Sequence, residues 1–168
     1  MQTSTTGKAA HSQKMESYYS FQAKIYDTTR WSFLFGRKRL IRELPFSTDE
    51  AFQILEVGCG TGANLFGMAK RFPKAQLTGV DVSSDMLKRS AKKMIPFKDR
   101  VKLLSGYYGQ VPIEEQPDLI VFSYCLTMVN PGWDKLVEQA KQDLKPGGFL
   151  ALADFHDSKV TAFKRHMG

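Results

Sequence analysis

The residues Ile54-Leu55-Glu56-Val57-Gly58-Cys59-Gly60-Thr61-Gly62 have the types and spacing best suited to binding chemistry. An apolar run with an acid near its end breaks into glycine at every second position. This is the pattern of a buried parallel strand entering a tight turn and a helix N-terminus. Glycine there admits positive φ and lets a ligand approach where a Cβ would collide. Gly58, Gly60 and Ala63 also satisfy the G-x-G-x-x-G/A dinucleotide spacing, with Asp81 about 20 residues on as a ribose acceptor. Glu56 separates two classes of ligand by charge. A carboxylate at the mouth of the strand repels a pyrophosphate, which wants bare amides and the positive helix end, but it suits a ligand carrying an ammonium and a sulfonium.

That charge pattern favours S-adenosylmethionine. Together with Gly79-Val80-Asp81-Val82-Ser83-Ser84-Asp85-Met86-Leu87, the glycine segment resembles motif I and the following strand end of class I S-adenosylmethionine-dependent methyltransferases. The resemblance implies a Rossmann-like, doubly wound α/β sheet of order 3-2-1-4-5, with the cofactor at the carboxyl ends beside the first strand. It implies Glu56 toward the methionine ammonium, the backbone of Gly58, Cys59 and Gly60 against the methionine part, and Asp81 on the ribose hydroxyls. Val82, Met86, Ser105, Gly106, Tyr107 and Ser123 complete the expected cofactor set, and Arg30 could hold a carboxylate of substrate or cofactor. Many family members carry an Asp after the glycine at position 106 to accept from the adenine N6. Tyr107 stands there instead, where it could stack on the purine or offer its hydroxyl. A nicotinamide-dependent oxidoreductase domain and a non-catalytic cofactor-binding subunit are the alternatives from other classes.

For the methyl acceptor, Tyr26-Asp27-Thr28-Thr29-Arg30-Trp31-Ser32-Phe33-Leu34-Phe35-Gly36-Arg37 and the run S-Y-x-L-T-M-V-x-x-x-W from Ser123 to Trp133 resemble betaine-lipid methyltransferases, which trimethylate the amine of diacylglyceryl-homoserine. The resemblance implies a lipid head-group amine as substrate, with phosphatidylethanolamine or a soluble amine as alternatives. Tyr19, Tyr26 and Asp27 match a helix that closes over the cofactor in related enzymes; packing on the sheet is the plainer role. Tyr19, Tyr26 and Tyr124 could steer the acceptor nitrogen. Asp154 and His156, at the carboxyl end of the last strand, are candidate proton acceptors, although His156 is equally read as a surface histidine.

The elements that must position these groups follow in chain order. Residues 1–14 read as a disordered tail, 15–48 as N-terminal lid helices and 49–168 as the cofactor domain. A helix from about Ser32 to Leu44 sets an aromatic stripe beside Arg37, Lys38, Arg39 and Arg42. The same pattern fits a core helix with a solvated face or an interfacial helix at an anionic membrane. Helices are expected from Gly62 to Phe72, after a cap at Ser83 or Ser84, and from Pro131 to Leu144. In the second of these Met86, Leu87, Ala91 and Met94 face inward. Strands are expected at Gln76 to Val82, Val101 to Ser105, Pro117 to Ser123 and Phe149 to Phe155. Asn130-Pro131-Gly132-Trp133 faintly resembles the N-P-P-Y box of nucleic-acid amino-methyltransferases. It lies too far beyond the strand tip, so it reads as helix initiation, and no nucleic-acid partner is expected.

With 168 residues, 42% of them hydrophobic, the chain holds one core. Its two cysteines, Cys59 and Cys125, fit neither a disulfide framework nor a metal-ligand spacing, which points to a reducing, cytoplasmic compartment. No segment has signal-peptide or membrane-span character. The net charge of +7 invites a polyanionic partner, either nucleic acid, which the motifs do not support, or peripheral contact with an anionic membrane face. The family's sheet usually continues with two further strands, and only Ser158 to Gly168 follow the fifth strand here. The expectation is therefore a C-terminally incomplete enzyme, or one whose open edge pairs with a second copy.

Overall fold

The computed structural model describes residues 36–129 and 131–154. Five strands, β1 (Gln53–Val57), β2 (Gln76–Asp81), β3 (Val101–Ser105), β4 (Leu119–Ser123) and β5 (Phe149–Ala153), form one sheet of order β3-β2-β1-β4-β5. All four pairings are parallel, with Ile54 opposite Leu77 and Leu119, and Leu119 opposite Phe149. The helices are α1 (Gly36–Glu43), α2 (Ala63–Arg71), α3 (Ser84–Met94) and α4 (Trp133–Asp143). The expected doubly wound architecture and strand order are those observed.

The strands sort their side chains between two cores because successive residues point to opposite faces. Ile54, Leu77, Leu119 and Val121 join Leu65, Met68, Phe72, Leu87 and Met94 on the face covered by α1 to α3. Leu55, Val57, Val80, Ile120 and Phe122 join Tyr108, Leu126 and Ala140 on the other. β4 is buried along its whole length, as its uninterrupted apolar sequence requires of a parallel strand covered on both faces. Residues 106–118, between β3 and β4, contain no helix. Tyr108, Val111 and Ile113 pack there directly on the sheet, and the Tyr108 hydroxyl donates to Asp143 at 2.5 Å, tying that crossover to α4.

One helix boundary and one buried helix face differ from expectation. Pro131 does not begin α4; the helix starts at Trp133 behind Gly132, whose φ of 124° no proline-led first turn provides. In α3, Ala91 is exposed, and the position buried against the sheet is Ser90. The cause is Gly62: a Cβ there would lie 2.3 Å from Ser90 Oγ, so α3 presses a small residue onto the glycine loop. Ser83 caps α3, its hydroxyl accepting from the Met86 amide at 3.4 Å. At the far end of α2 the Arg100 guanidinium donates to the carbonyls of Ala69, Phe72 and Ala75, closing the orphaned helix terminus.

Candidate active site

At the carboxyl end of β1 the chain turns through Gly58, Gly60 and Gly62, with φ of 68°, 54° and 73°. The amides of Gly58 and Cys59 both donate to the Val80 carbonyl, at 2.8 and 3.0 Å, so the loop is stitched to β2 before α2 begins. A Cβ on Gly58 would stand 2.7 Å from Cys125 Cβ, whereas one on Gly60 would meet nothing within 4 Å. Gly58 therefore serves packing between β1 and β4, and Gly60 borders open space. Cys125 donates its thiol to the Val57 carbonyl at 3.3 Å, and burial pushes that thiol up to about 12. Burial also raises the Cys59 thiol, so neither cysteine is a nucleophile at neutral pH.

Glu56 is the exceptional group. It sits in the middle strand pairings and is 2% exposed. Its neighbours in sequence, Leu55 and Val57, face the second core, so alternation turns Glu56 toward α2. There Asn64 donates to Oε1 at 2.8 Å. Oε2 is buried with no hydrogen-bond partner. Desolvation raises the carboxyl to about 8, against the opposing pull of the Asn64 hydrogen bond and the charge of Arg37. A buried carboxylate oxygen left without a donor calls for a cationic or donor group from a ligand.

Asp81 closes the other side. Its Oδ2 accepts from the Gly60 amide at 2.7 Å and its Oδ1 from the Ser83 amide at 2.8 Å. Each oxygen keeps a lone pair, so two vicinal hydroxyls can still donate to it. Burial raises this carboxyl too, partly offset by those amides. Ser105 and Gly106 follow at the tip of β3, where the Gly106 amide donates to the Asp81 carbonyl at 3.0 Å. Beyond them Tyr107 is 65% exposed, Val82 is 51% exposed and Met86 is half-buried.

The β4 tip departs from what the residue types alone convey. Ser123 is 3% exposed and its hydroxyl is buried without a partner. Tyr124 adopts φ of 56°, and its hydroxyl accepts the Gly36 amide at 3.2 Å. Asp154 accepts from the Leu126 and Thr127 amides at 2.9 and 3.2 Å and from the Thr127 hydroxyl at 2.9 Å. It thus braces the short 3-10 turn Leu126–Val129. Tyr19, Tyr26, Arg30 and His156 lie outside the described residues. Arg37, which no motif singled out as a ligand, stands beside this site with its guanidinium 5.9 Å from the Tyr124 ring centroid. Only its sequence position next to Gly36 could have signalled it.

A cavity of about 370 Å³ opens at the opposite, amino end of β1 to β3, between Gln53, Gln76, Lys102 and Ile113. Its Lys102 pairs with Glu114 at 2.6 Å, so its walls satisfy one another. The orphaned carboxylate and glycine cradle are at the carboxyl end, where ligands bind in open α/β sheets.

Residues 54–148 match the profile of a family described as a methyltransferase domain. Similar curated proteins include a malonyl-[acyl-carrier protein] O-methyltransferase of Priestia megaterium, 34% identical over 144 residues that make up 85% of this chain and 52% of the relative. Others are a trans-aconitate 2-methyltransferase of Paracidovorax citrulli (34%, covering 67% and 42%) and a ubiquinone/menaquinone biosynthesis C-methyltransferase of Syntrophotalea carbinolica (31%, covering 79% and 57%). Among solved structures, a complex of DhpI with S-adenosylmethionine superposes with a TM-score of 0.69 at 20% identity, covering 92% of this chain and 70% of that one. A methyltransferase of Aquifex aeolicus gives 0.66 at 22%, covering 82% and 74%. The chain belongs to the methyltransferase-domain family, and it spans about half the length of the curated relatives it matches. S-adenosylmethionine fits the residues present: orphaned Glu56 Oε2 suits its ammonium, the open space at Gly60 its methionine chain, and Asp81 its ribose.

Proposed function

We propose that the protein methylates the amine of a lipid head group, most specifically that of diacylglyceryl-homoserine. Support comes from the run shared with betaine-lipid enzymes: it leaves Met128, Val129 and Trp133 exposed by 51, 40 and 49% beyond the β4 tip. Solvent-exposed apolar side chains beside a cofactor site suit an acceptor delivered from a lipid surface. Lys38, Arg39 and Arg42, exposed on α1, suit the anionic face of that surface. Among the described residues no helix is long and apolar enough to cross a membrane, so contact would be peripheral.

The bound cofactor supplies a methyl group on a sulfonium, already a good leaving group, and the chain's share is alignment and exclusion of water. Glu56 and the glycine loop hold one end of it, Asp81 the other, and the turn braced by Asp154 sets one wall of the acceptor site. The acceptor nitrogen must lose its proton before attack. That proton goes to Asp154, to His156 or to water.

A second reading is methyl-ester formation on a carboxylate, because two of the relatives are named for malonyl-[acyl-carrier protein] and trans-aconitate. The test incubates the protein with methyl-labelled S-adenosylmethionine and total lipid extract. Alkali-stable label in the organic phase is expected. Alkali-labile label would identify an ester, alkali-stable label in the aqueous phase a soluble amine, and retained binding without transfer a cofactor-binding subunit.

A further inference from the structure

The charge of the chain is sorted by the sheet. The helices that cover one face, α1, α2 and α3, carry ten lysines and arginines against two acids, Glu43 and Asp85. The opposite face has the reverse balance. There α4 holds two lysines against three acids, and the crossover at residues 106–118 holds Glu114, Glu115 and Asp118 with no cation. Both acids of the basic face are taken up locally, Glu43 by Arg39 at 2.9 Å and Asp85 by Lys88 at 3.0 Å. Solubility asks only for charges of both signs spread over the surface, and gives no reason for positive charge to gather on one face and negative charge on the other. We propose that the α1 to α3 face docks flat on an anionic lipid bilayer, with the cofactor site at the rim of the docked surface.

Ile95 selects a bilayer over other polyanions. It opens the 3-10 turn Ile95–Phe97 that follows α3, and at 66% exposure it is the most exposed large hydrophobic among the described residues. The turn that carries it is braced. Phe97 packs edge-on against Phe66 of α2, with ring centroids 5.5 Å apart. The Arg100 guanidinium lies 5.0 Å from the Phe97 ring while it donates to the carbonyls of Phe72 and Ala75 beyond α2. Pro96 fixes the backbone between Ile95 and Phe97. An aliphatic side chain is thus held out into solvent from a rigid turn, with exposed Lys92, Lys93 and Lys98 close to it in sequence. That composition suits a head-group interface, where lysines meet phosphates and the aliphatic group meets the acyl boundary. A nucleic-acid backbone satisfies the lysines and offers the isoleucine no apolar phase. The choice of a lipid surface also rests on the lipid acceptor proposed above.

The test is flotation of the whole chain with two kinds of vesicle, phosphatidylcholine alone and an equimolar mixture with phosphatidylglycerol. Binding to the mixed vesicles at low salt, release at high salt and no binding to the neutral ones are expected. A lysine at an anionic surface is worth about fivefold in partitioning, so Lys92→Gln combined with Lys93→Gln should weaken binding about thirtyfold. Lys135→Gln combined with Lys141→Gln, on α4, should change it by no more than about twofold. Ile95→Ser should cost about tenfold on vesicles and nothing on a polyuridine probe. These positions lie on the surface, so an unchanged melting temperature and unchanged S-adenosylhomocysteine affinity certify each variant as folded. Failure to float with the mixed vesicles would overturn the proposal, and equal losses in the two lysine pairs would replace the docking face with diffuse net charge. An Ile95→Ser variant that floats as well as the wild type, or polyuridine bound more tightly than vesicles, would make the face a nucleic-acid surface instead. Flotation and methyl transfer are read separately: floated protein with label only in the aqueous phase would sink the lipid acceptor and keep the docking, and label in lipid without flotation would do the reverse.

Discussion

Binding of S-adenosylhomocysteine should release a proton, and the source is Glu56. In the ligand-free protein desolvation holds this carboxyl at about 8. At pH 7 it is therefore about nine-tenths protonated, and ionising it costs about 1.4 kcal/mol. A bound ammonium at Oε2 stabilises only the ionised form. Binding should then expel close to one proton at pH 7, and affinity should rise about tenfold per pH unit from roughly pH 5.5 to 7.5, levelling off above 8. Asp81 borders the same loop, and burial raises its carboxyl in the same direction. Calorimetry at pH 7 in phosphate and in Tris reads the released proton as a difference in apparent enthalpy, and Glu56→Gln should abolish it together with the pH slope. Identical enthalpies in the two buffers, with affinity flat from pH 5.5 to 7.5, would refute both the buried protonated carboxyl and its role as the ammonium site.

The same shift sets the pH dependence of stability. A carboxyl whose folded value lies above its unfolded value of 4.5 binds its proton more tightly in the folded state. Its contribution is fully present below about pH 4.5 and is lost as pH rises through about 8, amounting at most to a few kcal/mol. The ligand-free protein should therefore melt at a lower temperature at pH 8 than at pH 5.5, with a slope that Glu56→Gln flattens.

Asp81→Ala should weaken S-adenosylhomocysteine binding by about tenfold to a hundredfold, since it removes a charge-assisted acceptor together with its grip on the Gly60 amide; unchanged affinity in calorimetry would take Asp81 out of the site. Gly58→Ala and Gly60→Ala should separate fold from function. The first forces a Cβ to 2.7 Å from Cys125 and should unfold at clearly lower denaturant, while the second bears only the cost of positive φ, about 1 kcal/mol, and should lose ligand binding while staying folded. On the edge strand β5, Phe149 and Leu152 are 48% and 47% exposed, so the protein should self-associate in light scattering, and Leu152→Lys should reduce it; a monodisperse monomer at high concentration would show that this edge is protected.

Much of the fold was legible because each signal had one physical meaning. A short continuous apolar run such as Leu119 to Phe122, just after Pro117, fits a strand covered on both faces, and alternate glycines after Val57 mark a tight turn. The family resemblance rested on the glycine segment and on Gly79 to Leu87, and the strand order, since observed, was implied by that resemblance. Less legible was everything decided by contact between distant residues. Ala91 looked inward by periodicity, but Gly62 draws Ser90 inward instead. Asp154 had the type and place of a base, and the donors that also engage it, Leu126 and Thr127, lie 28 and 27 residues away in sequence. Tyr124 offered a hydroxyl at the strand tip, and its partner Gly36 is 88 residues distant. Glu56 spans both levels: its charge, visible in sequence, selected the ligand class, while the isolation of Oε2 needed the fold. That isolation follows from the topology itself. The middle strand of a parallel sheet ends with its side chains surrounded by neighbouring strands and the first helix, so an acid placed one residue before the turn is desolvated by its own scaffold. The carboxylate acquires its demand for a counter-charge because β1 lies between β2 and β4, and the helix-bound Asn64 meets only half of it.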